Sequence, residues 1–494
     1  MGLDSKQVAL LVLLVASVIS VVIALILSLV KSSEVPLPPG TKYGMVFDAG
    51  SSHTSLFIYQ WPTDKENNTG VVSQTHVCDV EGPGISSYAN DPPSAGKSLV
   101  ACLEEAMNII PPEGQRGAPA YLGATAGMRL LDLKNKTASD MVLSEVSKTI
   151  SRYPVDFRGA RIISGKEEGS YGWITINYLL ESFMKYSFGG RWVRPVSSKI
   201  YGALDLGGAS TQISFIPKVE IADPEQRADF KLYGFPYSIY THSFLCYGQN
   251  QALKQMLVKA VEGKDLSQPI NIPCYPAGYK STIAQASLYN SPCTVKSAPS
   301  SSLVQDITIT GTGNSTQCQD LLKTIYDFSS CTGKEFCSFE GIYQPPVVGK
   351  FFAFSAFFYT FDFLNLTSGQ DLPTVKSRIQ TFCAQDWTEL QASFPKERTD
   401  RLREYCANAN YVLTLLLDAY KFNENNWNSI SFMKQAADTD IGWTLGYMLN
   451  LTNMIPSEAS ASVRTQSYDV WIAAVFFIVL TLALGLLMLV LYFR

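Results

Sequence analysis

Two uninterrupted apolar runs frame the chain, at 8–30 and 470–493. Both are free of charge and exceed the roughly 20 helical residues needed to cross a bilayer. They predict two membrane helices, preceded by a short segment at 1–7. The first run is too long for the apolar part of a cleavable leader, and no small-x-small site clearly follows it. Between the runs the pattern changes period. Strand-like runs occur at 44–47, 55–61, 120–122 and 203–206, with a period of two at 55–59 and 212–215. Helical spacing recurs at 96–110, 138–153, 173–186 and 411–420. Strands interleaved with helices predict an α/β fold. A Pro-rich stretch at 31–42 and a Ser-rich stretch at 455–469 read as linkers to the membrane helices.

A repeat sharpens the picture. Residues 46–54 run Val-Phe-Asp-Ala-Gly-Ser-Ser-His-Thr, and residues 203–211 run Ala-Leu-Asp-Leu-Gly-Gly-Ala-Ser-Thr. Each predicts strand, tight turn, strand, with an Asp closing the first strand and a turn of small residues exposing backbone N–H groups. Such turns form anion-binding nests. Two of them face to face would grip a polyphosphate, and Asp48 and Asp205 would meet near a divalent cation. The duplication predicts two related α/β halves. One covers 36–161 and is completed by 434–465; the other covers 162–433 and carries a cysteine-rich insertion at 265–345.

All ten cysteines lie between the two apolar runs, with five Asn-x-Ser/Thr acceptors at Asn67, Asn135, Asn314, Asn365 and Asn450. Together they place the loop in an oxidising lumenal or extracellular space and both termini in the cytoplasm. Charges beside the apolar runs are too few to orient them. The net charge of −4 argues against binding nucleic acid through a basic surface. Three histidines and no Cys-x-x-Cys pair argue against zinc.

Two further phrases carry candidate chemistry. Residues 122–129, Leu-Gly-Ala-Thr-Ala-Gly-Met-Arg, place the Thr125 hydroxyl at a strand-to-helix turn, a natural anion site although more often a packing turn. At 162–173 two carboxylates, Glu167 and Glu168, precede a predicted helix. Glu167 suits the helix dipole; Glu168 in a cleft can take a proton from an attacking water. Few basic residues neighbour the two hairpins. The phosphate charge would then fall to backbone N–H groups, hydroxyls and a hard cation such as Mg²⁺ or Ca²⁺. The aromatic stretch 351–363 and the stretch 401–406 suit core packing, but one ring and one arginine there can sandwich a nucleobase.

Taken together, 46–60, 121–131, 162–178, 202–215 and 440–452 resemble the five conserved regions of the ecto-nucleoside triphosphate diphosphohydrolases, the membrane-bound ecto-apyrases of the cell surface. The resemblance covers essentially the whole chain. It implies two ribonuclease-H-like domains of the actin, Hsp70 and hexokinase superfamily, flanked by the two membrane helices. It implies a cell-surface hydrolase of nucleoside tri- and diphosphates that uses Ca²⁺ or Mg²⁺. Asp48 and Asp205 would hold the metal, mainly through water. Ser51, Ser52, His53 and Thr54 would form one phosphate loop, and Gly207, Gly208, Ala209 and Ser210 the other. Thr125 would contact the terminal phosphate, and Glu168 would be the general base. Ser210 and Gln212 would position the water, Tyr359 and Arg401 would stack on the base, and Trp443 would belong to the last conserved region. The implied disulfides are Cys78–Cys102, Cys246–Cys293, Cys274–Cys318, Cys331–Cys337 and Cys383–Cys406. A Golgi nucleoside diphosphatase and a non-catalytic nucleotide-binding membrane receptor remain as rivals, and a homo-oligomer remains open.

Overall fold

The computed structural model describes residues 4–29, 32–36, 40–65, 70–186, 192–195, 199–300, 303–437, 439–453, 455, 457–458, 462–466 and 468–493. Two compact units emerge. The smaller combines residues 1–41, 62–64 and 457–494, and the larger holds 42–61 and 65–456.

The larger unit contains two main sheets. The first has five strands: β1 Thr41–Ala49, β2 Thr54–Pro62, β3 Ser73–Val80, β4 Pro119–Ala124 and β5 Asp156–Ile162, in the order β3-β2-β1-β4-β5. The second has six: β6 Gly202–Leu206, β7 Ser210–Phe215, β8 Arg227–Leu232, β9 Phe235–Leu245, β10 Phe351–Ser355 and β11 Ile430–Phe432, in the order β8-β9-β7-β6-β10-β11. Leaving out β8, the two orders correspond strand for strand. In each, the Asp-bearing strand pairs parallel with a strand from later in the chain, β1 with β4 and β6 with β10. A parallel partner needs a long crossover, so the repeated Asp-Gly phrase is the visible part of a repeated topology.

Alternation along β1 and β6 sorts their side chains onto two faces. Met45 and Phe47 enter an apolar cluster confined to the first sheet and its helices, whereas Leu204 and Leu206 enter a cluster on the far side of the second. Val46 and Ala203 point the other way, into one shared cluster with two helices, α1 Gly165–Leu179 and α2 Trp443–Thr452. Helix α1 follows the first sheet but covers the second: Gly169 faces Gln212, Ser214 and Thr241. Helix α2 follows the second sheet but covers the first, where Thr444 Oγ1 meets the Tyr59 hydroxyl at 2.7 Å. The Gly446 N–H donates to Thr175 Oγ1 at 2.8 Å where the helices meet. Asp48 and Asp205 sit two residues beyond Val46 and Ala203 and so share this inner side.

Several element boundaries differ from those expected. The helix expected at 173–186 begins at Gly165 and ends at Leu179, so Glu167 and Glu168 lie in its first turn rather than before it. Ser164 caps that turn in a reciprocal box with Glu167, and Glu181, at φ 53°, leaves the helical path soon after the last turn. The helix expected at 96–110 is two, Pro92–Ser98 and Val100–Ile109, the first opened by prolines at its start. The one expected at 411–420 starts at Tyr405 and widens over Leu415–Ala419. The insertion forms a three-stranded sheet, Ile270–Ile272, Lys280–Ala284 and Asp306–Gly311, stapled by Cys274–Cys318. The ten cysteines form the same five pairs that the resemblance implies.

In the smaller unit the helices Ser5–Leu29 and Tyr468–Phe493 are long and apolar enough to cross a membrane. They pack together with Ser20, Ala24 and Ala474 buried, and the Ser20 hydroxyl donates to the Phe477 carbonyl at 2.9 Å. The two stretches expected to be linkers contain paired segments: Ser32–Pro36 runs antiparallel to Ser462–Gln466. Extended backbone at a Pro-flanked position is as ready for a ladder as for a free tether.

Candidate active site

The two hairpin turns approach each other. A Cβ placed on Gly208 would come within 2.6 Å of Ser52 Oγ and 2.7 Å of Ser51 Oγ, and Asn250 Nδ2 donates to Ser52 Oγ at 3.2 Å. Only glycine leaves that gap open. The second turn is tied by its own backbone: Gly207 N donates to Ser210 O at 3.0 Å, while Gln249 N and Asn250 N take up the Gly207 and Gly208 carbonyls. Ser52 and His53 are exposed on the first turn and Ser51 is half-buried. Among the described residues no hydrogen bond engages the N–H groups of Ser51, Ser52, His53, Gly208 or Ala209, so both turns present free donors. Thr54 Oγ1 is buried without a partner, whereas its counterpart Thr211 Oγ1 donates to the Asp205 carbonyl at 2.8 Å.

Glu168 lies in the first turn of α1, 7 % exposed, at the centre of a polar knot. The Gln212 amide donates to Glu168 Oε2 at 3.1 Å and also reaches Ser210 Oγ at 2.6 Å and Ser243 Oγ at 2.9 Å. Arg129 grips Glu168 directly and extends to Ser210 Oγ and Ser243 Oγ, each at 3.2 Å. Burial raises the proton affinity of Glu168, and the Arg129 charge opposes it. The result is a basic carboxylate held in one orientation. Thr125 lies between β4 and the helix Ala126–Lys134, at that helix's N-cap, with its N–H on the Ala49 carbonyl at 3.0 Å. Its hydroxyl is buried beside the first turn.

The two aspartates are poised differently. Burial pushes Asp48 up to about 7; the Trp443 indole lowers it and Glu168 raises it. Burial likewise pushes Asp205 up to about 8, with Glu168 adding repulsion, Ser355 lowering it and Asp48 raising it again. Asp48 Oδ1 is sealed from solvent without any hydrogen-bond partner. Three carboxylates that repel one another and one orphaned oxygen fit a cation between the hairpins. Among the described residues no group of three or more His, Cys, Asp or Glu is set to bind an ion directly.

Some expected residues are not brought together. Tyr359 is exposed on the helix Ala356–Phe363 with its ring against Phe358. Arg401 is exposed on the separate helix Thr399–Leu402, and among the described residues no hydrogen bond or cation–π contact joins the two. The sequons also divide. Asn135 and Asn314 are exposed helix caps and Asn365 is exposed in a left-handed turn. Asn450 is half-buried on α2, followed by a fully buried Thr452. Asn67 lies outside the described residues.

Sequence reasoning expected few basic residues near the hairpins but did not single out Arg129, which enters the site. Its signal was present: a helix capped at Thr125 brings residue 129 back to the same side one turn later. Ser243 had no local signal. It enters the site only because β9 pairs with β7 and sets Ser243 opposite Gln212.

Residues 35–465 match the model of the GDA1/CD39 (nucleoside phosphatase) family. The chain is 52 % identical over 483 residues to ectonucleoside triphosphate diphosphohydrolase 8 of Bos taurus, covering 98 % of this chain and 97 % of that one. It is 46 % identical to ectonucleoside triphosphate diphosphohydrolase 2 of Gallus gallus, covering 98 % and 97 %. A crystal structure of nucleoside triphosphate hydrolases from Neospora caninum shares the fold, with a TM-score of 0.60 at 16 % identity over 84 % of this chain and 93 % of that one. The chain belongs to the GDA1/CD39 family.

Proposed function

We propose that this protein is a membrane-anchored apyrase that removes the terminal phosphate of nucleoside tri- and diphosphates by direct attack of water. The observation that carries the reading is Glu168, buried and fixed by Gln212 and Arg129 beside two facing Asp-Gly hairpins. The relatives named as triphosphate diphosphohydrolases support the substrate class. Backbone donors of 51–54 and 207–210 hold the phosphates, and Thr125 meets the terminal one. Ser210 and Gln212 orient a water against it, and Glu168 accepts the proton as the new O–P bond forms. The bridging P–O bond breaks, leaving inorganic phosphate and a nucleotide shortened by one phosphate. Asp48 and Asp205 would hold a divalent cation, Ca²⁺ or Mg²⁺, which neutralises phosphate charge when bound. Tyr359 and Arg401, both exposed and not in contact with each other, would stack on the base only across a bound nucleotide. Both sheets are ribonuclease-H-like halves in the manner of actin and Hsp70, with one half at 36–161 completed by 434–465 and the other at 162–433.

The unit bearing the site faces the cell exterior and both termini face the cytoplasm, with the terminal helices in the plasma membrane. The five cystines and the exposed sequons support that side. Phosphate release from intact cells tests activity and orientation together. Nucleoside triphosphate added outside should be hydrolysed, EDTA should stop it, and either Ca²⁺ or Mg²⁺ should restore it. Hydrolysis persisting in chelator, or restored by Zn²⁺ alone, would refute the cation reading. Hydrolysis only after permeabilisation would move the protein to an internal membrane.

A further inference from the structure

The alternation that turns Asp205 and Gln212 to the inner side sends Thr211 to the opposite face of the second sheet. Thr211 lies opposite Leu206 in the β6–β7 register, and Leu206 belongs to the apolar cluster on the far side. A fully buried hydroxyl there needs partners, and Thr211 has two. It donates to the Asp205 carbonyl at 2.8 Å and lies 2.9 Å from the Tyr420 hydroxyl. A threonine hydroxyl carries one proton, and a carbonyl can only accept. The direction is therefore fixed: Tyr420 donates to Thr211, and Thr211 donates to Asp205. Hydrogen bonds aligned in one direction strengthen one another. The first hairpin has no such brace. Its counterpart Thr54 is also buried, and its hydroxyl is without a partner.

Tyr420 reaches Thr211 from an irregular helix end. The helix that starts at Tyr405 widens over Leu415–Ala419, and Tyr420 N donates at 2.8 Å to the Leu415 carbonyl, five residues back. One inserted residue turns everything beyond it by about 100°, and such widened turns recur at functional sites. Two buried side chains hold this end. Ser338 Oγ donates to the Ala419 carbonyl at 2.8 Å, and Gln344 Nε2 donates to the Tyr420 carbonyl at 2.9 Å. Ser338 directly follows Cys337, whose disulfide with Cys331 closes a short loop. Lys421, at φ 66°, then leaves the helical path. The end of the cysteine-rich insertion thus reaches the second hairpin through one ring.

We propose that Tyr420 is a positioning residue for the second hairpin. From behind the sheet its hydroxyl fixes Thr211, and through Thr211 the backbone of Asp205, so that the carboxylate and the adjoining turn stay aimed into the cleft. The inference rests on the reading of Asp205 as a cation-holding residue.

The test is thermal unfolding of the full chain in detergent, titrated with Ca²⁺ at a fixed concentration of β,γ-methylene adenosine triphosphate. Wild type is compared with Tyr420→Phe, Thr211→Val, Thr211→Ser, the Tyr420→Phe/Thr211→Val double variant and Asp205→Asn. Tyr420→Phe keeps the ring and removes the hydroxyl. Its Ca²⁺ midpoint should rise about three- to tenfold, the size of one hydrogen bond. Thr211→Val should shift at least as far, and Thr211→Ser, which keeps the hydroxyl, should stay near wild type. The double variant should match Thr211→Val, because the two residues act in series. A lowered melting temperature in Tyr420→Phe with a wild-type Ca²⁺ midpoint would reduce Tyr420 to packing and overturn the proposal. So would shifts that add in the double variant, since Tyr420 would then act by another route. If Tyr420→Phe does not fold, the threonine pair decides, and an unshifted Thr211→Val overturns the relay. An unshifted Asp205→Asn would overturn the cation reading and this inference with it.

Discussion

His242 shows how one half-buried side chain links the site's sheet to pH. It sits on β9 with Nδ1 at 2.5 Å from Gln226 Oε1 and its ring edge-on to Phe244. Burial pushes it down to about 4, with Asp223 opposing weakly. The folded state therefore keeps it neutral while the unfolded chain protonates near the ordinary value of about 6.5. Stability from this group is intact above that value and is lost as pH falls toward 4, by about 3 kcal/mol at most. Denaturant unfolding at pH 7 and pH 4.5 should show a smaller acid loss in His242→Gln than in wild type; equal losses would contradict the assignment. The residues that were legible in sequence are those embedded in local phrases: Asp48, Asp205, Thr125 and Glu168. Arg129 was half-legible, one helical turn past Thr125. Ser243 was not, because only the pairing of β9 with β7 places it.

Among elements, the two inner helices matter most. Helix α2 seats Trp443 over Gly123 of β4, where a Cβ would come within 2.2 Å of the indole. Gly123 is also the residue opposite Asp48 in the β1–β4 register, so the contact lies beside Asp48. Gly123→Ala should force the rigid ring outward and destabilise the fold by about 1–3 kcal/mol, read as a lowered thermal midpoint. An unchanged midpoint would mean that α2 yields freely. The strands around the hairpins were legible because alternation and turn chemistry agree there. Helix α1 was misplaced because its start depends on the Ser164–Glu167 box rather than on apolar spacing: most of its residues are buried, so it has no polar face to reveal its phase. The linker strands were missed because a ladder between 32–36 and 462–466 pairs segments more than four hundred residues apart.

For the whole molecule, the internal repeat was the sequence's strongest clue to architecture. It implied two related halves, and the two sheets do share a strand order. The exchange of helices, with α1 after the first sheet covering the second and α2 the reverse, has no signature in a repeat of nine residues. The cystine pairs were likewise beyond spacing alone, since ten cysteines allow many connectivities; they came from the resemblance. Ser20 and Ala24 of the first long apolar helix are buried where it packs on the second. All of these features bear on one claim: two hairpins and a carboxylate from a shared helix converge to activate water. Glu168→Gln tests it most directly, because the amide keeps size and hydrogen bonding but cannot accept the proton. Steady-state phosphate release and binding of β,γ-methylene adenosine triphosphate should be measured on the same purified, folded variant. Release should fall by roughly 10² to 10⁴-fold with binding within a few-fold of wild type. Near-normal release from the folded variant would contradict the account.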